Sequence, residues 1–398
     1  MKTARLLLTL LGIGLFLLQP LPVFAAATTD SQPTALVLTI DDIIMPSVHA
    51  YLRRGLDVAE RDGMEMVILQ LNTPGGAIDT MQNMVEDIRA SRIPVVVYVT
   101  PRGGWAASAG AVITLAGHAS VMAPETAIGA ASPVSGEGQD LTETMEAKAI
   151  EAMSALMRSL TTDLPPEAQE LAVAMITEAR AVSAQEALEI GLIDFIAGDL
   201  DDLLAQLDGF TVETVDGPLT LQTGGLRTES LNMTFIEQLL QILTNTNIVF
   251  LLLSIGVQAV LIEISSPGGW VAGFIGVVCL ALAAYGLGFL PVNWFGMIFI
   301  ITAFVLFIVD IKAPTHGGLT AAGIGSFIVG ALVLFNSPAT PEFQRVSIPL
   351  VVFVAIITGA TFAVIVGFAL RAHKARVRTG AESMAGATGL AVSDVSPL

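Results

Sequence analysis

Residues 66–76 read MVILQLNTPGG, an apolar run that ends in a Thr-Pro-Gly-Gly turn. An apolar run of this length, bounded by Pro and Gly, is typical of a buried β-strand. A helix is predicted directly after it over Ala77–Ser91, where apolar side chains recur at helical spacing at Ile78, Met81, Val85 and Ile88. The stretch therefore predicts one strand–turn–helix unit.

The same alternation continues on both sides of this unit. Further strands are predicted at Ala35–Ile40, Pro94–Thr100 and Ala119–Met122. Further helices are predicted at Pro46–Asp62, Ala106–Ala116, Thr142–Leu160 and Ser183–Gly191, with a loop over Ala123–Gln139. Strands that alternate with helices indicate a parallel sheet with right-handed crossovers. In such sheets, functional sites form where strand ends meet helix starts.

Charge and hydropathy divide the chain near Asn247. The whole chain has a net charge of −18 and a mean hydropathy of +0.73. Between Ala26 and Asn247 there are 31 acidic and 10 basic residues, against 5 and 6 from Ile248 onward. The acidic excess disfavours nucleic-acid binding. One cysteine, Cys279, excludes a disulfide framework, and the sparse Cys and His content disfavours a zinc site.

The N-terminus has the pattern of a signal peptide over residues 1–25. Lys2 and Arg5 precede an apolar run, and small residues surround Ala25, after which cleavage is predicted. An uncleaved membrane anchor is the alternative. In both cases the domain over residues 26–230 is expected outside the cytoplasm, followed by a linker over 231–247.

Five apolar stretches predict a transmembrane region over residues 248–371: Ile248–Ile264, Gly268–Leu290, Trp294–Ile311, Gly317–Phe335 and Ser347–Leu370. Each approaches the ~20 residues that cross a bilayer core. Five spans place Lys312 and the basic residues 371–378 in the cytoplasm, as the positive-inside rule requires, whereas four do not. The chain is thus expected to be a multi-pass protein of the inner or plasma membrane, with a cytoplasmic tail over 372–398.

Two strand–helix junctions carry candidate chemistry. At the first, Gly75 and Gly76 allow close backbone approach, although a simple turn is the alternative. At the second, GGWAASAG over residues 103–110 places Ser108 in the first turn of a small-residue helix. Ser108 is either a nucleophile or a small packing residue. The N–H groups of Gly76 and Ala109 are candidates for an oxyanion hole.

A nucleophilic serine needs a base, and three residues of this domain are candidates. His49 and His118 are not clearly placed near Ser108, which favours structural roles for both. Lys148 is the one lysine between residues 26 and 247. Its spacing from Met145 and Ala152 predicts a position on the apolar face of a helix, where a lysine held away from water can act as a general base. A lysine whose head reaches water is the alternative.

Several motifs together resemble the NfeD family of membrane-bound serine proteases, within the ClpP/crotonase superfamily. They are NTPGG at 72–76, AASAG at 106–110, MAP at 122–124, IGAASPV at 128–134, Lys148, EALEIGLID at 186–194, SPGG at 266–269 and DIKAPTHG at 310–317. The resemblance implies a ClpP/crotonase-like α/β domain of the ββα-spiral type. An all-α transmembrane bundle of about five helices is implied after it.

The resemblance also implies a Ser108–Lys148 catalytic dyad, with Gly75, Gly76 and Ala109 in the oxyanion region and no cofactor or metal. It implies an apolar substrate, such as the C-terminal region of a stomatin- or prohibitin-like membrane protein, and assembly into a dimer or larger homo-oligomer at the lipid bilayer. A non-catalytic membrane scaffold remains the alternative function. A crotonase-type acyl-CoA enzyme is disfavoured because CoA is cytosolic, and a transporter because buried charges are few.

Two features depart from the family pattern. Residues 161–166 read TTDLPP where family members commonly have a Gly-Arg-Asn stretch. The edge of the cleft is therefore expected to differ from the family pattern, whereas the dyad is not affected. Long members end in a cytoplasmic barrel of the OB type, and the residues after Thr379 are too few to close five strands. The tail is therefore expected to hold only the start of such a domain.

Overall fold

The computed structural model describes residues 33–133, 143–265, 269–312, 315, 317–336 and 340–374, with isolated positions 386, 388 and 390. The predicted signal peptide lies outside the described residues. So does most of the tail in which a shortened OB domain was predicted.

A parallel sheet forms the centre of the first domain. Its described strands are β1 (Thr34–Asp41), β2 (Met66–Asn72), β3 (Val95–Val99), β5 (Ala119–Met122), β8 (Phe195–Ile196) and β11 (Arg227–Leu231). They lie in the order β11-β1-β2-β3-β5-β8, and each neighbouring pair is parallel. The four predicted strands are confirmed. They read as continuous apolar runs because both faces of the sheet are covered.

Smaller strands lie beside this sheet. β4 (Trp105–Ala107) pairs parallel with β6 (Ala127–Gly129), which pairs antiparallel with β7 (Ala181–Ser183). β9 (Thr211–Thr214) and β10 (Gly217–Thr220) form a hairpin. Two predictions change as a result. The helix predicted from Ala106 begins later because Ala106 and Ala107 pair with β6, and the predicted loop over 123–139 contains that strand.

Helices cover both faces of the central sheet. They are α1 (Pro46–Asp62), α2 (Ile78–Ala90), α3 (Ala109–Ala116), α4 (Glu143–Leu160), α5 (Pro166–Thr177), α6 (Ala184–Glu189) and α7 (Leu200–Leu207). One face packs in a core that includes Leu69 of β2 and Met84 of α2. The other face places Ile68 against Leu203 of α7. The predicted α/β class is confirmed, although α5 and α7 were not predicted.

The second half of the chain is helical. It comprises α8 (Phe235–Ile242), α9 (Thr246–Ser265), α10 (Val271–Leu287), α11 (Trp294–Lys312), α12 (Gly318–Phe335) and α13 (Ile348–Lys374). Each of the five helices α9–α13 overlaps one predicted span. By length and composition, three described segments are candidate membrane spans, namely Thr246–Ile264, Gly318–Phe335 and Glu342–Val364. The apolar helices Val271–Leu287 and Trp294–Asp310 are shorter.

Helices α9–α13 run alternately up and down. The backbone N–H of Asn293, before α11, donates to the carbonyl of Leu334 at the end of α12, at 2.9 Å. The Thr246 hydroxyl, at the start of α9, donates to the carbonyl of Gln344, before α13, at 2.6 Å. The N–H of Val346, before α13, donates to the side-chain oxygen of Asn336, just after α12, at 2.8 Å. The starts of α9, α11 and α13 therefore lie at the same end of the bundle as the end of α12. This end contacts the α/β domain.

Candidate active site

Ser108 lies at a sharp turn between a strand and a helix. β4 ends at Ala107, Ser108 has φ 53° and ψ −115°, and α3 begins at Ala109. The Ser108 N–H donates to the carbonyl of Gly129 at 2.9 Å, which fixes the turn against β6. Ser108 thus precedes the first helical turn in which it was predicted. A positive φ is costly for a residue with a side chain, and such strain concentrates at functional sites.

Gly75 lies directly against Ser108. A β-carbon on Gly75 would be 2.7 Å from the Ser108 β-carbon and 3.1 Å from its Oγ, and the φ of Gly75 is 123°. The N–H of Gly75 donates to the Thr73 hydroxyl at 3.1 Å, and its carbonyl accepts from the Ile44 N–H at 2.8 Å. Glycine is required here by both the backbone conformation and the space.

Two backbone N–H groups next to Ser108 have no hydrogen-bond partner among the described residues: those of Gly76 and Ala109. Ala109 is the first residue of α3, so its N–H has no acceptor within the helix. Both residues line a small cavity together with Ser108. Unpartnered donors beside a hydroxyl are what an oxyanion hole requires.

The cavity next to Ser108 measures about 40 Å³, and most of the side chains that line it are apolar. Its other lining residues are Ile78, Met81, Ala131, Pro133 and Met153. A larger cleft of about 420 Å³ also contains Ser108 and Gly76. Ser132 lines this cleft too, but its hydroxyl donates to the carbonyl of Ile176 at 2.7 Å. Ser108 therefore sits where an extended apolar chain can reach a serine hydroxyl.

Lys148 is not turned toward the core, contrary to the prediction. The buried residues of α4 include Met153, Ser154 and Met157, whereas Lys148 is exposed and does not line either cavity. Ile150, two positions after Lys148, packs against the core. Two positions correspond to about 200° around a helix, so Lys148 faces the other way. Lys148 has no hydrogen bond or ion pair within the described parts of the chain.

The two histidines of this domain have structural contacts. His49 Nε2 lies 2.7 Å from Asp87 Oδ2. His118 Nδ1 accepts from the Val95 N–H at 3.0 Å, and burial lowers the pKa of His118 to about 4. Neither lines the cleft with Ser108. These contacts agree with the structural roles favoured from the sequence.

Part of the cleft was not foreseen from the sequence. Phe289, Pro291 and Phe343, from loops between the helices α10–α13, line the cleft that contains Ser108. No periodicity signals this, because the contact joins segments that are far apart in the chain.

Two family models match the chain. The NfeD1b N-terminal domain matches residues 34–215, and the NfeD integral membrane domain matches residues 247–368. A membrane-bound protease of Pyrococcus horikoshii is 34% identical over 388 residues, which cover 94% of this chain and 86% of that protein. This similarity supports a membrane protease.

Two further similarities concern the first domain. A mutant of a membrane-bound stomatin-specific protease, solved with a substrate peptide, is 30% identical and covers 53% of this chain and 98% of its own, with a TM-score of 0.49. A proteolytic subunit of the ATP-dependent Clp protease of Chlamydia muridarum is 28% identical over 146 residues, covering 34% of this chain and 72% of that protein. The first domain has a ClpP-like α/β fold, followed by the helical region. The chain belongs to the NfeD family.

Proposed function

We propose that this chain is a membrane-anchored serine endopeptidase that uses Ser108 as nucleophile and Lys148 as general base. One observation carries the proposal. Ser108 is held at a strained turn against Gly75, and the unpartnered N–H groups of Gly76 and Ala109 lie beside it. This combination has a clear use in acyl transfer and no evident use in packing.

The chemistry proceeds in two stages. Neutral Lys148 takes the proton of the Ser108 hydroxyl as Oγ bonds to the scissile carbonyl carbon. The N–H groups of Gly76 and Ala109 donate to the oxygen that becomes negative. Lys148 then gives its proton to the leaving amine as the C–N bond breaks. Water, deprotonated by Lys148, hydrolyses the ester and restores Ser108.

The role of Lys148 rests on its uniqueness and availability. It is the one lysine between residues 26 and 247, and no described residue holds its ammonium group. Because Lys148 is exposed in the structure, the proposal requires the first turns of α4 to close toward Ser108 when a substrate fills the cleft.

The proposed substrate is an apolar segment, such as the C-terminal region of a stomatin-like membrane protein. The apolar side chains that line the small cavity beside Ser108 support this, as does the relative described as stomatin-specific. The proposed topology is multi-pass, with the α/β domain outside the cytoplasm. The starts of α9, α11 and α13 at the end near that domain support five crossings.

The test uses the full chain in detergent, labelled with a fluorophosphonate and assayed with an apolar peptide. Ser108→Ala should abolish both labelling and cleavage. Ser132→Ala, at a second serine in the same cleft, should retain both. Lys148→Arg keeps the positive charge but cannot release a proton at neutral pH, so it should lose activity at least 100-fold.

Two outcomes would contradict the proposal. Labelling of Ser108→Ala at the wild-type rate would exclude Ser108 as the nucleophile. Full activity of Lys148→Arg would exclude Lys148 as the base while leaving a serine hydrolase. If Ser108→Ala fully complements a deletion strain, the scaffold function is favoured instead.

A further inference from the structure

The cleft that contains Ser108 has two walls from different halves of the chain. The α/β domain contributes the first wall, which includes Pro74, Gly76, Ile78 and the acidic residue Asp79. The helical region contributes the second wall, which we call the membrane-side wall: Phe289, Pro291, Pro341, Phe343 and Gln344. The nucleophile therefore faces the end of the helical bundle across a space of about 420 Å³.

Helix α8 holds the two halves together. Arg54 of α1 donates to both carboxylate oxygens of Glu237, at 2.9 and 2.7 Å. The Ser47 hydroxyl donates to Gln241 Oε1 at 2.5 Å, and Gln241 Nε2 donates to the carbonyl of Ile43 at 3.0 Å. Glu237 and Gln241 are buried by this contact. The segment predicted as a linker thus contains a docked helix.

The membrane-side wall is tied to the start of α9, which follows α8 closely. The Thr246 hydroxyl donates to the carbonyl of Gln344 at 2.6 Å. The side-chain oxygen of Asn247 accepts from the N–H of Ser347 at 2.9 Å. Phe343 directly precedes Gln344 in the chain. Its position relative to Ser108 is therefore determined by these hydrogen bonds to the start of α9 and by the docking of α8 on α1.

The chemistry of the membrane-side wall suits an apolar peptide. It carries no charged side chain, and its two prolines have no N–H to donate. The side chains of Phe343 and Phe289 remain 46% and 39% exposed, so a ligand can cover them with a gain from apolar burial. Phe343 also lies near the start of the candidate span Glu342–Val364. A segment held against it would therefore lie at the level of the membrane surface.

We propose that the membrane-side wall, chiefly Phe343 and Phe289, is a substrate-specificity element that selects apolar peptide segments at the membrane surface and positions them for Ser108. This inference rests on the proposed function and adds to it. It assigns part of substrate recognition to the helical region, which would otherwise serve only as an anchor.

The test measures cleavage of two peptides by the full chain in nanodiscs, one apolar and one with the apolar side chains replaced by Ser. Phe343→Ala should raise KM for the apolar peptide at least fivefold, with a smaller effect on kcat, and should reduce discrimination between the peptides. Phe343→Leu should restore part of the loss. Phe353→Ala is the matched control, because Phe353 is 59% exposed on α13 and does not line the cleft.

Fluorophosphonate labelling of Ser108 separates the two levels of proposal, because a small probe does not need the membrane-side wall. Normal labelling of Phe343→Ala with a raised KM supports the inference. Normal labelling with unchanged KM and unchanged discrimination rejects it and leaves the proposed function intact. Absence of Ser108 labelling in the wild type rejects the proposed function and this inference with it.

Discussion

Gly75 and Ser108 are in such close contact that a β-carbon on Gly75 would stand 2.7 Å from the β-carbon of Ser108. The two residues belong to different strand–helix junctions of the sheet. Their contact brings the Thr-Pro-Gly-Gly turn against the turn at Ser108 between β4 and α3, and so creates the candidate active site. Neither junction alone contains both the hydroxyl and the two unpartnered N–H groups.

Replacement of Gly75 should therefore destroy activity. In Gly75→Ala the new methyl group would overlap Ser108 and oppose a φ of 123°. We expect at least a 100-fold loss of peptide cleavage with the fold retained by circular dichroism. The matched control is Gly63→Ala. Gly63 also has a positive φ, but a β-carbon there would have no atom of a non-adjacent residue within 4 Å. This substitution should cost about 1 kcal/mol of stability and leave cleavage unchanged. Equal activity in both variants would contradict the contact.

His118 should make stability depend on pH. Burial is the main reason that the pKa of His118 falls from 6.5 to about 4, with a smaller contribution from Arg89. Between pH 6.5 and 4 the unfolded chain binds a proton that the folded chain excludes. This stabilisation is therefore full above pH 6.5 and is lost as the pH falls toward 4, by up to about 3 kcal/mol.

The substitution His118→Asn removes the titrating group and keeps an acceptor for the Val95 N–H. Thermal unfolding of the full chain between pH 7 and pH 4 should show a smaller loss of stability than in the wild type. Fluorophosphonate labelling at pH 7 should be unchanged. A variant that is as steeply pH-dependent as the wild type would show that His118 titrates normally.

The ion pair between Arg54 and Glu237 should stabilise the docking of α8. The side chain of Glu237 is 12% exposed, so Arg54→Met leaves a largely buried carboxylate without its partner and should cost about 2 kcal/mol. The double variant with Glu237→Gln should cost less than the sum of the two single variants. Thermal unfolding in detergent measures this coupling. If the stability loss of the double variant equals the sum of the two single losses, the ion pair does not stabilise the docking of α8.

Gly286 permits the end of α10 to approach the junction between α8 and α9. A β-carbon there would overlap the carbonyl of Leu243 and the side chain of Val249. Gly286→Ala should therefore lower stability in detergent by about 1–3 kcal/mol. Gly325 lies in the interior of α12, and a β-carbon there would have no atom of another part of the chain within 4 Å. Gly325→Ala should therefore leave the stability unchanged or raise it. A larger loss of stability in Gly325→Ala than in Gly286→Ala would contradict the observed packing.

Local patterns were sufficient for most of the first domain. The strands that contain Leu38, Leu69 and Val97 were predicted because both faces of the central sheet are apolar, which leaves a continuous hydrophobic run in the sequence. The five apolar helices were predicted for a similar reason. The junctions at Gly75 and Ser108 were found because glycine and small residues interrupt those runs.

The geometry of the site depended on contacts that no local pattern encodes. Ser108 occupies a strained turn because Ala106 and Ala107 pair with β6, about twenty residues later. The orientation of Lys148 was misjudged because its alanine neighbours Ala149 and Ala152 fit either face of a helix. The docking of buried α8 side chains on α1 helps to bring the membrane-side wall to Ser108. Apolar periodicity records which residues leave water, whereas the identity of their partners is decided by the packing of the complete chain.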